Sequence, residues 1–204
     1  MSTMSDTTEQ WERFLAPEVV RERLFNASLF ITAFELLKDS IIGRLRDFYC
    51  IGFDENGPTI SESYEARVLS RNKNVLYASL DWLRESDVID AEDMAAFERI
   101  RLARNGIAHK LPALVFQGDD HEVGKRFPEA FALLKKIEVW WVMNLEIPTN
   151  PDYDGKEIDE SGVVPGPVWM FQLMMEVASG NSTYLDEFRK MNAQRRAPKT
   201  NEGP

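Results

Sequence analysis

The residues best suited to chemistry lie in one short basic segment that contains one of the chain's two histidines. The imidazole of His109 can accept or donate a proton near neutral pH. Arg104, a few residues earlier, carries a guanidinium that can hold a phosphate and stabilise negative charge on its oxygens. Asn105 can hydrogen-bond to the imidazole ring or to the phosphate. These groups suffice for RNA cleavage by the ribose 2′-hydroxyl, a reaction that needs no metal ion.

A single predicted helix carries this segment and would position its side chains. Asp90 can accept the free backbone amides at the helix start, and Asp93 lies favourably in the first turn. We expect the helix to end near His109 or Lys110, because Pro112 disfavours its continuation.

This helix has an apolar stripe with a polar side next to it. The residues predicted to face the core recur at helical spacing: Ala96, Ile100, Ala103, Ile107 and Leu111. Arg101, Asn105 and His109 are each four residues apart, so they should line one side of the helix. Arg104 is long enough to reach toward His109. Arg101 and Lys110 are the residues expected to bind further phosphates of an RNA.

The spacing of Arg104, Asn105 and His109 resembles the Arg-x4–6-His motif of HEPN domains, in which a polar residue follows the arginine. In that family the motif lies near the end of an inner helix of a compact bundle. Residues 29–42 also look like the opening helix of such domains in phage-defence proteins, and the resemblance covers roughly residues 27–145. It implies a metal-independent endoribonuclease that acts as a homodimer, with two motifs forming one composite site. It further implies a toxin or abortive-infection role with an antitoxin or other regulatory partner.

One position departs from the family pattern. HEPN toxins that are paired with a nucleotidyltransferase antitoxin often carry a tyrosine two residues after the histidine, where this chain has Leu111. Regulation by modification of that tyrosine is therefore not expected, although the cleavage chemistry is unaffected.

Two alternatives remain open at this point. The first is a catalytically silent HEPN-like module that binds a partner protein or nucleotide and signals through dimerisation. The net charge of −10 favours it, because an acidic protein attracts RNA poorly. It predicts that Arg104 and His109 are held in intramolecular salt bridges. The second is a structural helical protein in which the motif spacing arose by chance.

The whole sequence predicts an all-α fold, an antiparallel bundle of about four core helices with additional helices at both ends. Residues 1–147 would form the HEPN-like domain, residues 148–166 an acidic linker rich in proline and glycine, residues 167–192 a C-terminal helical extension packed on the same domain, and residues 193–204 a disordered tail. Helices are predicted at about residues 8–24 with a break near Pro17, 27–49, 63–84, 90–110, 128–145, 167–178 and 183–192. Residues 54–58 are predicted to form a loop, with no β-hairpin.

Composition and spacing exclude several other classes of protein. Cys50 is the single cysteine, so an intramolecular disulfide and a zinc site built on thiolates are excluded, and a cytoplasmic protein is expected. No secretory signal and no apolar run long enough for a membrane span are visible. Glu35 and Asp39 are four residues apart, but the di-iron pattern of Glu-x-x-His is missing. We therefore expect no metal and no cofactor, and interpret the carboxylates as a surface pair or as a partner for an arginine.

Overall fold

The structure is a computed structural model that describes residues 4–118 and 121–196. Its elements are, in chain order, α1 (Met4–Leu15), α2 (Pro17–Phe48), β1 (Cys50–Asp54), β2 (Gly57–Ile60), α3 (Glu62–Arg67), α4 (Val75–Glu85), α5 (Ala91–Gln117), α6 (His121–Trp141), α7 (Ile147–Thr149), α8 (Gly166–Ala178) and α9 (Thr183–Arg196). The chain divides into two compact units, Met1–Val168 and Trp169–Pro204. No helix within the described ranges is both long enough and apolar enough to cross a membrane.

The core of the first unit is formed by α2, α4, α5 and α6, which pack on one another. The central helix α2 buries apolar side chains at three- and four-residue spacing, including Phe30, Leu37, Ile41 and Leu45, all fully buried. Removing each such side chain from water contributes about 1.5–3 kcal/mol. The predicted all-α fold is confirmed.

The N-terminal helices divide at a different place from the one predicted. The break at Pro17 is confirmed, since α1 ends at Leu15 and Pro17 is the first residue of α2. Proline suits this position, because the first amides of a helix have no intrahelical partner. The second break, predicted between Leu24 and Ala27, is wrong: α2 runs without interruption to Phe48.

Residues 50–60 form a β-hairpin, which corrects the prediction of a loop without strands. The strands β1 and β2 pair antiparallel, with Asp54 opposite Gly57 across a two-residue turn. Asp54 accepts a hydrogen bond from the backbone amide of Asn56 at 2.7 Å, and Gly57 has a positive φ of 118°. Ile51 and Phe53 are 72% and 82% exposed. Neither strand contains a fully buried residue, so neither has the buried side that makes a half-buried strand recognisable in a sequence.

The helix predicted over residues 63–84 is divided into α3, a 3-10 turn (Leu69–Arg71) and α4. Asn74 explains the division, because its side chain accepts the amide of Leu76 at 3.0 Å and so starts a new helix.

The helix α6 also differs from the prediction: it begins at His121 rather than near Pro128 and continues into a π-helical turn, Val142–Glu146.

The segment predicted as a linker contains two short 3-10 turns, Pro151–Tyr153 and Glu160–Gly162. The helices α8 and α9 lie where the sequence predicts them, but α9 extends beyond residue 192 to Arg196. Residues 193–196, predicted as part of the tail, thus belong to α9, and the rest of that prediction falls on residues 197–204, which lie outside the described residues.

Candidate active site on α5

The predicted cap by Asp90 at the start of α5 is confirmed, and Asp93 bonds back to it to complete a reciprocal capping box. The Asp90 carboxylate accepts the amides of Glu92 at 2.8 Å and Asp93 at 3.0 Å, and Asp93 accepts the amide of Asp90 at 2.9 Å. Lys136 of α6 forms ion pairs with both carboxylates. The backbone amide of Asp93 and then the Lys136 ammonium hold the pKa of Asp90 below its usual value. The candidate site thus lies on a helix whose first turn is fixed to α6.

The helix is distorted next to the predicted histidine but does not end there. Lys110 has a non-helical backbone (φ −119°, ψ 15°), and helical structure then resumes as far as Gln117. Pro112 explains the distortion, because its ring crowds the preceding turn and its nitrogen cannot donate a hydrogen bond. The predicted end near His109 or Lys110 thus coincides with the interruption at Lys110, and the second helical segment as far as Gln117 was not predicted.

Gly118 ends α5 in the left-handed region, with a φ of 78°. Its amide bonds to the carbonyl of Leu114 at 2.8 Å. Arg23 of α2 donates to the carbonyl of Val115 at 2.5 Å, which supplies a partner for an acceptor in the last turn. The segment after the kink is thereby attached to α2.

Arg104 faces α2 and makes its contacts there. Its Nη2 donates to Oε1 of Glu35 at 3.0 Å, and its guanidinium carbon lies 5.5 Å from the centre of the Phe34 ring. Its side chain is 33% exposed, and its buried Nε has no hydrogen-bond partner among the described residues. The interpretation of Glu35 as a partner for an arginine is confirmed, whereas the expected reach of Arg104 toward His109 is not observed. Residues five apart on a helix point about 140° apart, which accounts for the separation.

His109 and Asn105 are unengaged within the described residues. His109 is exposed immediately before the kink, and Asn105 is partly exposed on the same helix. Neither side chain has a hydrogen bond or ion pair with any part of the chain that the structure describes. The silent-module hypothesis requires both Arg104 and His109 to be held in salt bridges, and only Arg104 meets that requirement.

Arg101 is paired with an acidic residue one turn before it. Its Nε and Nη2 donate to Glu98 at 3.0 and 2.8 Å, and Glu98 also accepts the hydroxyl of Tyr77 at 2.5 Å. The hydrogen bond with Glu98 raises the pKa of Arg101. Burial opposes ionisation of Glu98, but the hydrogen bonds from Tyr77 and Arg101 prevail and lower its pKa. Arg101, predicted to bind phosphate, is therefore largely neutralised by its own neighbour.

A groove of about 540 Å³ lies between α5 and α6, and no sequence pattern indicated it. Its basic residues are Arg99, Lys110 and Arg126, and Gly106 leaves its wall open. Arg99 is held by Glu92 and Glu129, whereas Lys110 has no ion pair with any described residue. Arg126 pairs with Glu129 at 2.9 Å. The start of α6 was not predicted, so its contribution to the groove could not be either.

Comparison of the chain with models of protein families, with characterised proteins and with solved structures gives no match. The resemblance to HEPN domains therefore rests on Arg104, Asn105 and His109 and on their helical context, and it stays a prediction. Among the described residues, no three His, Cys, Asp or Glu side chains are grouped so as to hold a metal ion.

Proposed function

We propose that this chain is a metal-independent endoribonuclease of HEPN type, with His109 as the proton-transfer group. The observation that supports the proposal is the exposed imidazole of His109 beside Lys110, which lines a groove between α5 and α6; neither side chain has a partner among the described residues. An exposed imidazole can exchange protons with a bound substrate, and an unpaired ammonium can receive a phosphate.

The reaction uses only groups on α5 and the RNA itself. A neutral imidazole removes the proton of a ribose 2′-hydroxyl, and the 2′-oxygen forms a bond to the adjacent phosphorus. The bond from phosphorus to the 5′-oxygen breaks, and an imidazolium donates a proton to that leaving oxygen. The products are a 2′,3′-cyclic phosphate and a 5′-hydroxyl. Asn105 would orient the imidazole, and Arg104 would stabilise charge on the phosphate oxygens.

A second copy of the chain is part of the proposal because Arg104 and His109 lie on different sides of α5. In a homodimer, His109 of one protomer can approach Arg104 of the other. Glu35 and Phe34 would then hold the Arg104 guanidinium in place before RNA binds. The cytoplasmic role as a toxin or phage-defence nuclease, with an antitoxin or other regulatory partner, rests on the family resemblance alone.

The test is cleavage of a structured RNA by purified protein in excess EDTA. Wild type should release fragments that end in a 2′,3′-cyclic phosphate. His109→Ala should lose about a hundredfold or more of the rate, because general acid–base catalysis contributes 10²–10⁴-fold. Arg104→Ala should lose about a hundredfold through lost charge stabilisation.

Arg84→Ala provides the matched control, because Arg84 is an exposed arginine on α4 paired with Asp81. It should cleave at the wild-type rate. Cleavage that survives in both α5 variants would come from a contaminant, and the proposal would fail.

The catalytically silent module is the second candidate, and the engagement of Arg104 by Glu35 favours it. RNA binding separates the two, measured by fluorescence anisotropy at low salt with the His109→Ala protein. Binding that weakens when Lys110 is also replaced by alanine would support the nuclease. Absence of binding, together with absence of cleavage by wild type, would support the silent module and a protein or nucleotide partner.

A further inference from the structure

The groove between α5 and α6 has an aliphatic floor that the proposed cleavage reaction does not use. Six aliphatic side chains from the two helices form this floor: Leu102, Ala103, Ile107, Ala113, Leu114 and Val123. Gly106 lies among them, and a side chain added there would meet no atom within 4 Å. Sites for small molecules are typically concave and largely apolar, with a few polar groups, and this groove has that character.

The lining of the groove is unsuited to a nucleobase or a polar sugar. None of the described residues that line it is aromatic, so a base would find no ring to stack on. Gln117 is the one neutral polar side chain among them, which leaves few partners for the hydrogen-bonding groups of a base or a ribose. An aliphatic chain needs neither stacking nor hydrogen bonds, and its burial on this floor is favourable.

The dimensions of the groove fit one extended chain. From Leu102 to Leu114 the floor follows α5 for about 18 Å, because an α-helix rises 1.5 Å per residue. A volume of about 540 Å³ over that length corresponds to a channel about 6 Å across. An α-helix with its side chains is about 10–12 Å in diameter, so a partner helix does not fit inside, whereas a single alkyl chain is narrow enough.

The charges around the groove favour an anionic ligand. Its charged residues within the described chain are all cationic, Arg99, Lys110 and Arg126, although the whole chain has a net charge of −10. Arg99 and Arg126 both pair with Glu129, at 3.4 and 2.9 Å. Lys110 has no ion pair with any described residue, and it is exposed where α5 is distorted. Its ammonium is therefore available to an anion, which the rest of this acidic protein would repel.

We propose that this groove binds the anion of a free single-chain fatty acid. The carboxylate would pair with Lys110, and the alkyl chain would extend over Gly106 and Ala103, which lie on the same side of α5 as Lys110. A membrane phospholipid fits less well, because it carries two chains and lies in a bilayer whose anionic surface repels an acidic protein.

The proposed ligand shares one residue with the proposed nuclease. Lys110 is the residue that would receive an RNA phosphate, so a bound fatty acid would compete with RNA for it. Binding of the fatty acid itself does not depend on RNA cleavage, and it can be measured without RNA.

The test is isothermal titration calorimetry of the full chain with decanoate, at concentrations below those at which decanoate forms micelles. Wild type should show saturable binding with a dissociation constant below about 1 mM. Octanoate, which is two methylenes shorter, should bind about three- to tenfold more weakly, because each methylene buried on the floor adds to the affinity. Acetate has the charge without the chain and should bind at least about tenfold more weakly than decanoate.

Two substitutions test the floor and the charge separately. Gly106→Leu fills the open space in the groove and should abolish binding, while α5 is retained because leucine favours a helix more than glycine does. Gly124→Leu is the matched control, since Gly124 lies on α6 outside the groove and has equally open space; it should bind as wild type does. Lys110→Ala should raise the dissociation constant about tenfold through the lost charged partner. Lys125→Ala, at an exposed lysine of α6 outside the lining, should leave it unchanged.

Unchanged far-ultraviolet circular dichroism would show that the variants are folded. The proposal is overturned if decanoate gives no saturable binding up to about 5 mM, or if acetate binds as tightly as decanoate. It is equally overturned if Gly106→Leu or Lys110→Ala binds decanoate as wild type does. Cleavage of RNA is not measured in this experiment, so either proposal can fail without the other.

Discussion

Glu138 of α6 is a carboxylate only 1% exposed, and its one ion-pair partner among the described residues is Arg44 of α2. Arg44 donates to Oε2 of Glu138 from Nη2 at 2.6 Å and from Nε at 3.1 Å. Its Nη1 forms a second ion pair with Glu146 at 2.9 Å. The hydrogen bond with Glu138 outweighs burial and raises the pKa of Arg44. This arrangement joins the two helices that pack most extensively in the core.

Replacement of Arg44 by methionine should be strongly destabilising. It keeps much of the apolar length of the side chain but leaves the Glu138 carboxylate buried without a counter-charge. Breaking a buried pair in this way costs 3–5 kcal/mol, and Arg44 is 30% exposed, so the expected loss is about 3 kcal/mol. The double variant Arg44→Met with Glu138→Leu removes both charges, and its free energy of unfolding should lie within about 1 kcal/mol of wild type.

Urea unfolding at neutral pH, followed by circular dichroism, measures these differences if the dependence on urea is unchanged. Arg84→Met is the matched control, because the Arg84 side chain is 56% exposed and its pair with Asp81 should contribute less than about 1 kcal/mol. The explanation is refuted if Arg44→Met loses less than about 1 kcal/mol. It is also refuted if the double variant is as unstable as Arg44→Met alone.

Two further predictions concern the ends of α5. Because the pKa of Asp90 is held below 3.8, its carboxylate stabilises the fold above that pH, and the contribution is lost as pH falls through the folded-state pKa. Asp90→Asn keeps a capping oxygen but does not titrate and cannot form the ion pair with Lys136. Its loss in free energy of unfolding, measured in urea, should therefore be present near neutral pH and vanish in strong acid. A loss that grows on acidification would contradict this. Gly118→Ala should lower the free energy of unfolding by about 1 kcal/mol or more, because the positive φ of Gly118 disfavours a side chain and the added carbon would displace Arg23. Gly124→Ala, on an open stretch of α6, is the control and should be neutral or stabilising by thermal unfolding.

Local features of the fold were predictable because their physical causes act within a few residues. The Asp90–Asp93 capping box needs only neighbouring amides and carboxylates, and it begins α5 where the sequence predicts. Pro17 suits the first position of α2 and Pro112 distorts α5, and both effects come from ring geometry and a missing donor, which do not depend on the rest of the chain. The apolar spacing of α2 likewise identifies a core helix by itself.

Reliance on local sequence patterns also explains the errors in the predicted secondary structure. Residues 54–58 are predicted as a loop from their turn-forming residues, and the strands on either side are missed because a strand without a buried side has no recognisable alternation. The hairpin depends instead on the turn at Glu55 and Asn56. Asn74 divides a helix that apolar spacing alone would join, because one capping hydrogen bond outweighs a weak local preference.

For the candidate site, the sequence by itself determined which chemical groups share α5 and their order along it. Only the tertiary structure decided which of them are free. Arg104 is engaged because packing of α2 against α5 brings Glu35 and Phe34 to it, and His109 is free because no described element packs over its side of the helix. An ion pair between residues far apart in the chain depends on helix packing, and helix packing depends on the burial of the whole core rather than on any local pattern.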